Sequence, residues 1–139
     1  MSLAWLLRAA GASLVALSFL HAALWRALHW GPESERLSPL NARVFAAHTF
    51  FVAFVLLGLG LLSFARPDLL LARSDLARLL LWGVVAFWLA RLALQALVFD
   101  SALRTGRTRP LLVRLGFGLP WVGYAALYGA ALLRQYGRG

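Results

Sequence analysis

The chain has no cysteine, which excludes disulfides, thiolate metal ligands and thiol redox chemistry. It has no lysine either: all 14 basic residues are arginine, set against 5 acidic ones. Charged residues make up 14% of the sequence, where a soluble protein carries about 25%. No carboxylate falls inside the four longest apolar stretches. The G-x-S-x-G elbow of hydrolases is missing, as are the acidic and histidine-rich boxes of membrane di-iron enzymes. Disorder is excluded too, because disordered chains are polar and poor in aromatics, whereas 13% of these residues are aromatic.

What is present is apolar. Hydrophobic residues reach 62% of 139, with a mean hydropathy of +0.76. A small globule keeps much of its surface exposed and has no room to hide that excess. The solvent that accommodates it is lipid. The net charge of +9 would suggest nucleic acid in a soluble protein. Here Arg43, Arg66, Arg78, Arg114 and Arg134 each sit at the edge of an apolar run, where arginine meets lipid phosphates and interfacial water. No nucleic-acid partner is expected. Exclusive use of arginine fits a GC-rich coding bias and points to a bacterial plasma membrane.

Four spans follow from the runs. Twenty-two uncharged residues separate Arg43 from Arg66, and 19 separate Arg114 from Arg134. The 21 residues between Arg78 and Asp100 are interrupted once, by Arg91, and 17 uncharged residues occupy 9–25. A helix needs about 20 residues to cross the hydrocarbon. Punctuation sharpens the ends: Ser38–Pro39 reads as a cap followed by an N1 proline, Ser74 or Asp75 caps the third helix, and Pro110 opens the fourth. Gly31 and Pro32 stop the first. The expected fold is all-α, a single integral-membrane domain with helices at about 3–28, 39–65, 75–99 and 110–134. Short connections favour an up-down-up-down bundle. The first segment is expected to be a retained span rather than a cleaved signal peptide, because its apolar run is long and no polar region follows it. Seven arginines on one side against six on the other leave the orientation open; the dense stretch at 104–109 tips it toward both termini outside.

Depth along each helix singles out a polar layer. At about 1.5 Å per residue, His21 lies ~10 Å before the end of the first helix and His48 ~13 Å into the second. Arg91 lies ~12 Å before the end of the third, with Gln95 one turn closer to that face. In an antiparallel bundle these depths coincide. Helical stripes agree: Trp88, Arg91 and Gln95; Ser18, His21 and Trp25; Asn41, Phe45 and His48; and Phe117, Trp121, Tyr124 and Tyr128. An arginine at mid-membrane costs about 2.5 kcal/mol or more and is tolerated where it faces the bundle, a partner or water. The nearest carboxylate, Asp100, is nine residues away. The bland alternative has Arg91 snorkelling and the histidines bonding backbone carbonyls.

These residues predict an intramembrane pocket. His21 and His48 are the candidate catalytic groups, able to exchange protons near neutrality. Arg91 and Gln95, with Trp25, Trp88, Trp121 and Tyr124 around them, are the candidate ligand-binding groups. The expected partner is a membrane lipid or other lipophilic small molecule with an anionic headgroup. The absence of an evident nucleophile leaves open whether any reaction is catalysed. No cofactor or metal is expected. Two histidines without carboxylate or thiolate leave a metal short of ligands. Neighbouring helices about 8–10 Å apart leave little room for a bis-histidine haem, unless a second chain shares it. The glycines and proline of LGFGLPWVG in the fourth helix predict a kink, the alternative being close packing through small residues. The competing functional reading is a non-catalytic small subunit or assembly factor of a larger membrane complex, or a homo-oligomer, whose small or polar residues turn outward.

Overall fold

The computed structural model describes residues 2–27, 36–99 and 110–137, with the side chains of 22, 24–27, 98–99 and 110–117 outside the description. Trp25, His29, Trp30, Asp100, Phe117 and the 104–109 stretch therefore lie outside the described side chains. The described residues are helical apart from short caps and turns, with no strand among them. The elements are α1 (Leu3–Ala27), α2 (Pro39–Ala65), the short α3 (Pro67–Leu71), α4 (Asp75–Leu94) continuing into a π-helical turn (Gln95–Phe99), and α5 (Pro110–Tyr136). Among the described residues three helical stretches are long and apolar enough to cross a membrane: Leu3–His21, Pro39–Ala65 and Asp75–Leu97.

Local chemistry sets the ends. Ser38 accepts a hydrogen bond from the Asn41 backbone N–H at 3.4 Å and Pro39 opens α2, satisfying a donor that has no partner inside the helix. Of the two candidate caps for α4, Ser74 takes the role, accepting from Ala77 N–H at 3.2 Å. Asp75 instead pairs with Arg78 one turn on. The α5 helix runs unbroken through Pro120. Helix α3 occupies part of the short connection expected between the second and third spans.

The chain forms two compact units, Met1–Pro67 and Asp68–Gly139. In the first, α1 packs on α2 in antiparallel register: Arg8 meets Phe64, Gly11 meets Gly60 and Ser18 meets Ala53. A Cβ built on Gly11 would lie 2.5 Å from the Phe64 nitrogen and 2.6 Å from the Gly60 oxygen, and one on Gly60 would lie 2.9 Å from the Gly11 oxygen. Backbone touches backbone there, so both positions require glycine. Between helices in lipid the attraction comes from close packing and hydrogen bonds rather than from release of water, and small residues make that approach possible. Leu7, Leu14 and Leu56 are buried around the crossing. The Ser18 hydroxyl donates to the Ala53 carbonyl at 2.9 Å, and Arg8 Nη1 donates to the Phe64 carbonyl at 2.8 Å in the last turn of α2.

In the second unit α4 packs antiparallel on α5. Leu81, Trp88, Tyr128, Ala131 and Leu132 are buried. Trp82 Nε1 donates to the Tyr136 hydroxyl at 3.1 Å, and Arg73 donates to the Gly137 carbonyl at 2.9 Å beyond the end of α5. Gln135, also buried, donates to the Leu70 carbonyl at 3.0 Å, which ties α3 to α5.

Candidate functional site

Helical spacing puts Trp88, Arg91 and Gln95 on one stripe of α4, and Trp121, Tyr124 and Tyr128 on one stripe of α5. The structure brings these two stripes together. Trp88 is 1% exposed. Its ring stacks on Tyr124, with centroids 4.6 Å apart, and on Trp121 at 5.5 Å and 14°. Phe87 closes against it edge-on at 5.1 Å. Trp121 and Tyr124 are themselves in contact at 6.2 Å. Offset aromatic stacks of this kind add to packing beyond area alone.

Arg91 lies at the edge of that stack. Its Cζ sits 4.9 Å from the Trp121 ring centroid, and its Nη1 donates to Gln95 Oε1 at 3.2 Å. Both contacts are of the kind that offsets the cost of a cation in a span: an electron-rich ring face and an amide acceptor. Gln95 is buried and opens the π-helical turn. A wider turn within an α-helix recurs at functional sites because it redirects the side chains on either side of it.

The stack also contains two unanswered donors. Trp88 Nε1 and Trp121 Nε1 are both buried, and neither finds an acceptor among the described residues. An indole N–H shut away from any acceptor costs about 1–3 kcal/mol. Native proteins carry few such groups, and those that persist call for an explanation. Two of them sit in adjacent rings beside a guanidinium.

The histidines belong to the first unit. His21 is half-buried and its Nδ1 lies 2.8 Å from the Leu17 carbonyl. A carbonyl only accepts, so Nδ1 carries the proton in this contact. The α1–α2 register places His21 opposite Phe50, two residues from His48, so the two histidines occupy nearly the same level of this hairpin. His48 is exposed. The packed stripe of α2 runs instead through Phe45, Thr49, Leu56, Gly60 and Ser63, one residue and about 100° around from His48 at Thr49. Thr49 donates back to the Phe45 carbonyl at 2.9 Å. Ser18, on the His21 stripe, is buried at the helix–helix contact.

Among the described residues no group of three or more His, Cys, Asp or Glu side chains is placed to hold a metal ion. Two features escaped the sequence reading. Gln135 lies next to Arg134 near the end of α5, yet it is buried with its Oε1 lacking a donor among the described residues. Trp82 and Tyr136, each near an end of its helix, are joined by a hydrogen bond. The signal in both cases is a polar side chain within one turn of a span end, recognisable only once the register of the opposite helix is known. No protein-family model, curated protein or solved structure shows significant similarity to this chain.

Proposed function

We propose that this chain is a four-span, up-down-up-down protein of a bacterial plasma membrane whose α4–α5 hairpin binds the anionic headgroup of an amphipathic molecule. One observation carries the reading: two buried indole N–H donors with no acceptor among the described residues stand in stacked rings beside the Arg91 guanidinium. A carboxylate or phosphate offers what all three groups take, since its oxygens accept hydrogen bonds and its charge complements the cation. Gln95 orients the guanidinium, and the half-buried Trp121 and Tyr124 rings, backed by the buried Trp88, supply an apolar wall for the first carbons of the ligand. No reaction is assigned. His21 and His48 remain the chain's candidate proton carriers, to be tested as such if turnover of a bound molecule is found.

The test uses the full chain in maltoside micelles, titrated with dodecyl phosphate and, in parallel, with neutral dodecanol, and followed by tryptophan fluorescence. Dodecyl phosphate is expected to bind well ahead of dodecanol. Arg91→Gln is expected to weaken it by about tenfold or more, the value of one charge-assisted hydrogen bond. Trp88→Phe with Trp121→Phe keeps the rings but removes both donors, and is expected to weaken binding while the helix content stays the same. Equal affinity for the phosphate and the alcohol, or an unchanged affinity in Arg91→Gln, overturns the reading.

The small-subunit reading has one observation in its favour. Gly58 on α2, Gly83 on α4 and Gly123 on α5 are exposed, and among the described residues nothing lies within 4 Å of a Cβ built on any of them. Glycine on an outward helix face admits another helix closely. If Gly58→Leu or Gly83→Leu releases a co-purifying polypeptide while Arg91→Gln does not, that reading takes precedence.

A further inference from the structure

The sequence stripes do not account for the other end of the α1–α2 hairpin, where α1 begins and α2 finishes. A groove of about 570 Å³ lies there, lined by Trp5, Arg8, Ala9, Ala12 and Phe64. We propose that it is a second lipid site, in which Arg8 holds the phosphodiester of an anionic phospholipid and Ala9 and Ala12 form the floor for the start of an acyl chain.

The order of residues along α1 matches the order of groups in such a lipid. Trp5, Arg8 and Ala12 follow i, i+3, i+7 spacing and so share a face. Measured from Leu3 at ~1.5 Å per residue, they stand about 3, 7.5 and 13.5 Å into the helix. A tryptophan comes first, at the depth where interfacial aromatics gather. The cation follows, and the small residues lie deepest. Trp5 is 68% exposed and Phe64 49%, so both aromatic walls are open to an occupant.

Arg8 is also held for the task. Its Nη1 is committed to the Phe64 carbonyl at 2.8 Å. A guanidinium has five N–H donors in a rigid fork, so one bond orients the group and leaves the others for phosphate oxygens. The same bond sets the cation against the carbonyl end of α2, whose partial negative charge would otherwise repel an anion. A full positive charge outweighs about half a negative one. Free phosphate would leave the alanine floor and both aromatic walls uncovered; a phospholipid covers all of them.

The experiment uses the full chain carrying Arg91→Gln, so that a ligand at the α4–α5 site is not counted, in nanodiscs of phosphatidylcholine with a minority of phosphatidylglycerol. After release into detergent and stepwise delipidation, native mass spectrometry counts the retained lipid. One phosphatidylglycerol is expected to persist beyond the phosphatidylcholine. Arg8→Gln and, separately, Ala12→Leu are expected to lower its retention by about tenfold. Arg8→Lys is expected to retain more than Arg8→Gln. Because Ala12→Leu fills the floor without touching the Arg8–Phe64 bond, a folding defect in Arg8→Gln does not decide the outcome. Excess inorganic phosphate is expected to displace nothing. Equal retention of phosphatidylcholine, undiminished retention in either variant, or displacement by inorganic phosphate would overturn the proposal.

Discussion

Single side chains in this protein divide into those that hold helices together and those that are poised for something else. Ser18 is of the first kind: its hydroxyl reaches the Ala53 carbonyl across the α1–α2 contact. Interhelical hydrogen bonds in membranes average only about 0.6 kcal/mol, because the separated helices also find partners. Ser18→Ala is therefore expected to lower stability by about that much in an equilibrium unfolding titration, and a loss of several times that figure would show that the bond does more than pair two helices. Arg91 is of the second kind. Its fork reaches Gln95 while its face lies over Trp121, and a lysine ammonium has neither the plane nor the fork. Arg91→Lys is expected to keep the charge yet bind dodecyl phosphate more weakly than the native chain and more tightly than Arg91→Gln.

At the level of helices, the glycines sort by what faces them. A methyl group at Gly11 would meet backbone atoms of Gly60 and Phe64, which move only if the helix moves. At Gly58 the same methyl meets nothing within 4 Å among the described residues. Gly11→Ala is thus expected to cost about 1–3 kcal/mol through overpacking. Gly58→Ala is expected to be neutral or stabilising by up to about 1 kcal/mol, through helix propensity alone. Denaturation midpoints of the two variants in one detergent make the comparison, and equal midpoints would contradict the close crossing. The sequence alone leaves Gly58 and Gly60 equivalent, since both sit in the same leucine-rich run. Their phase relative to α1 separates them, and that phase is a property of the packed pair. His48 and Thr49 differ for the same reason: adjacent residues lie about 100° apart on a helix, and the α2 packing stripe passes through the threonine.

For the whole chain, the four-span proposal makes a topological prediction that the composition renders easy to test. With no native cysteine, single cysteines report their own position without background. Ser2→Cys, Ser74→Cys and Gly137→Cys are expected to react with a membrane-impermeant maleimide from one side of the membrane, and Ser34→Cys and Ser101→Cys from the other. Gly137 reacting from the side opposite Ser74 would mean an odd number of crossings after α3, and with Ser101 still opposite Ser74 it would remove α5 as a span.

Composition and punctuation were enough for the helical, membrane-adapted character of the chain. Runs of 17 to 22 uncharged residues demand lipid whatever their partners, and the Ser38–Pro39, Ser74 and Pro110 signals act within a single turn, so they need no tertiary context. The α4–α5 constellation was legible for a related reason. Trp88, Arg91 and Gln95 on one helix and Trp121 and Tyr124 on the next are so unlike their leucine and alanine surroundings that the stripes stand out before any packing is known. Packing alone decided the rest: which glycines touch backbone, that Gln135 lies buried against Leu70, and that Trp88 and Trp121 keep buried donors with no acceptor among the described residues. Each of these depends on the register and rotation of one helix against another. Those are set by steric fit between two surfaces, and a single run of residues carries only half of that fit.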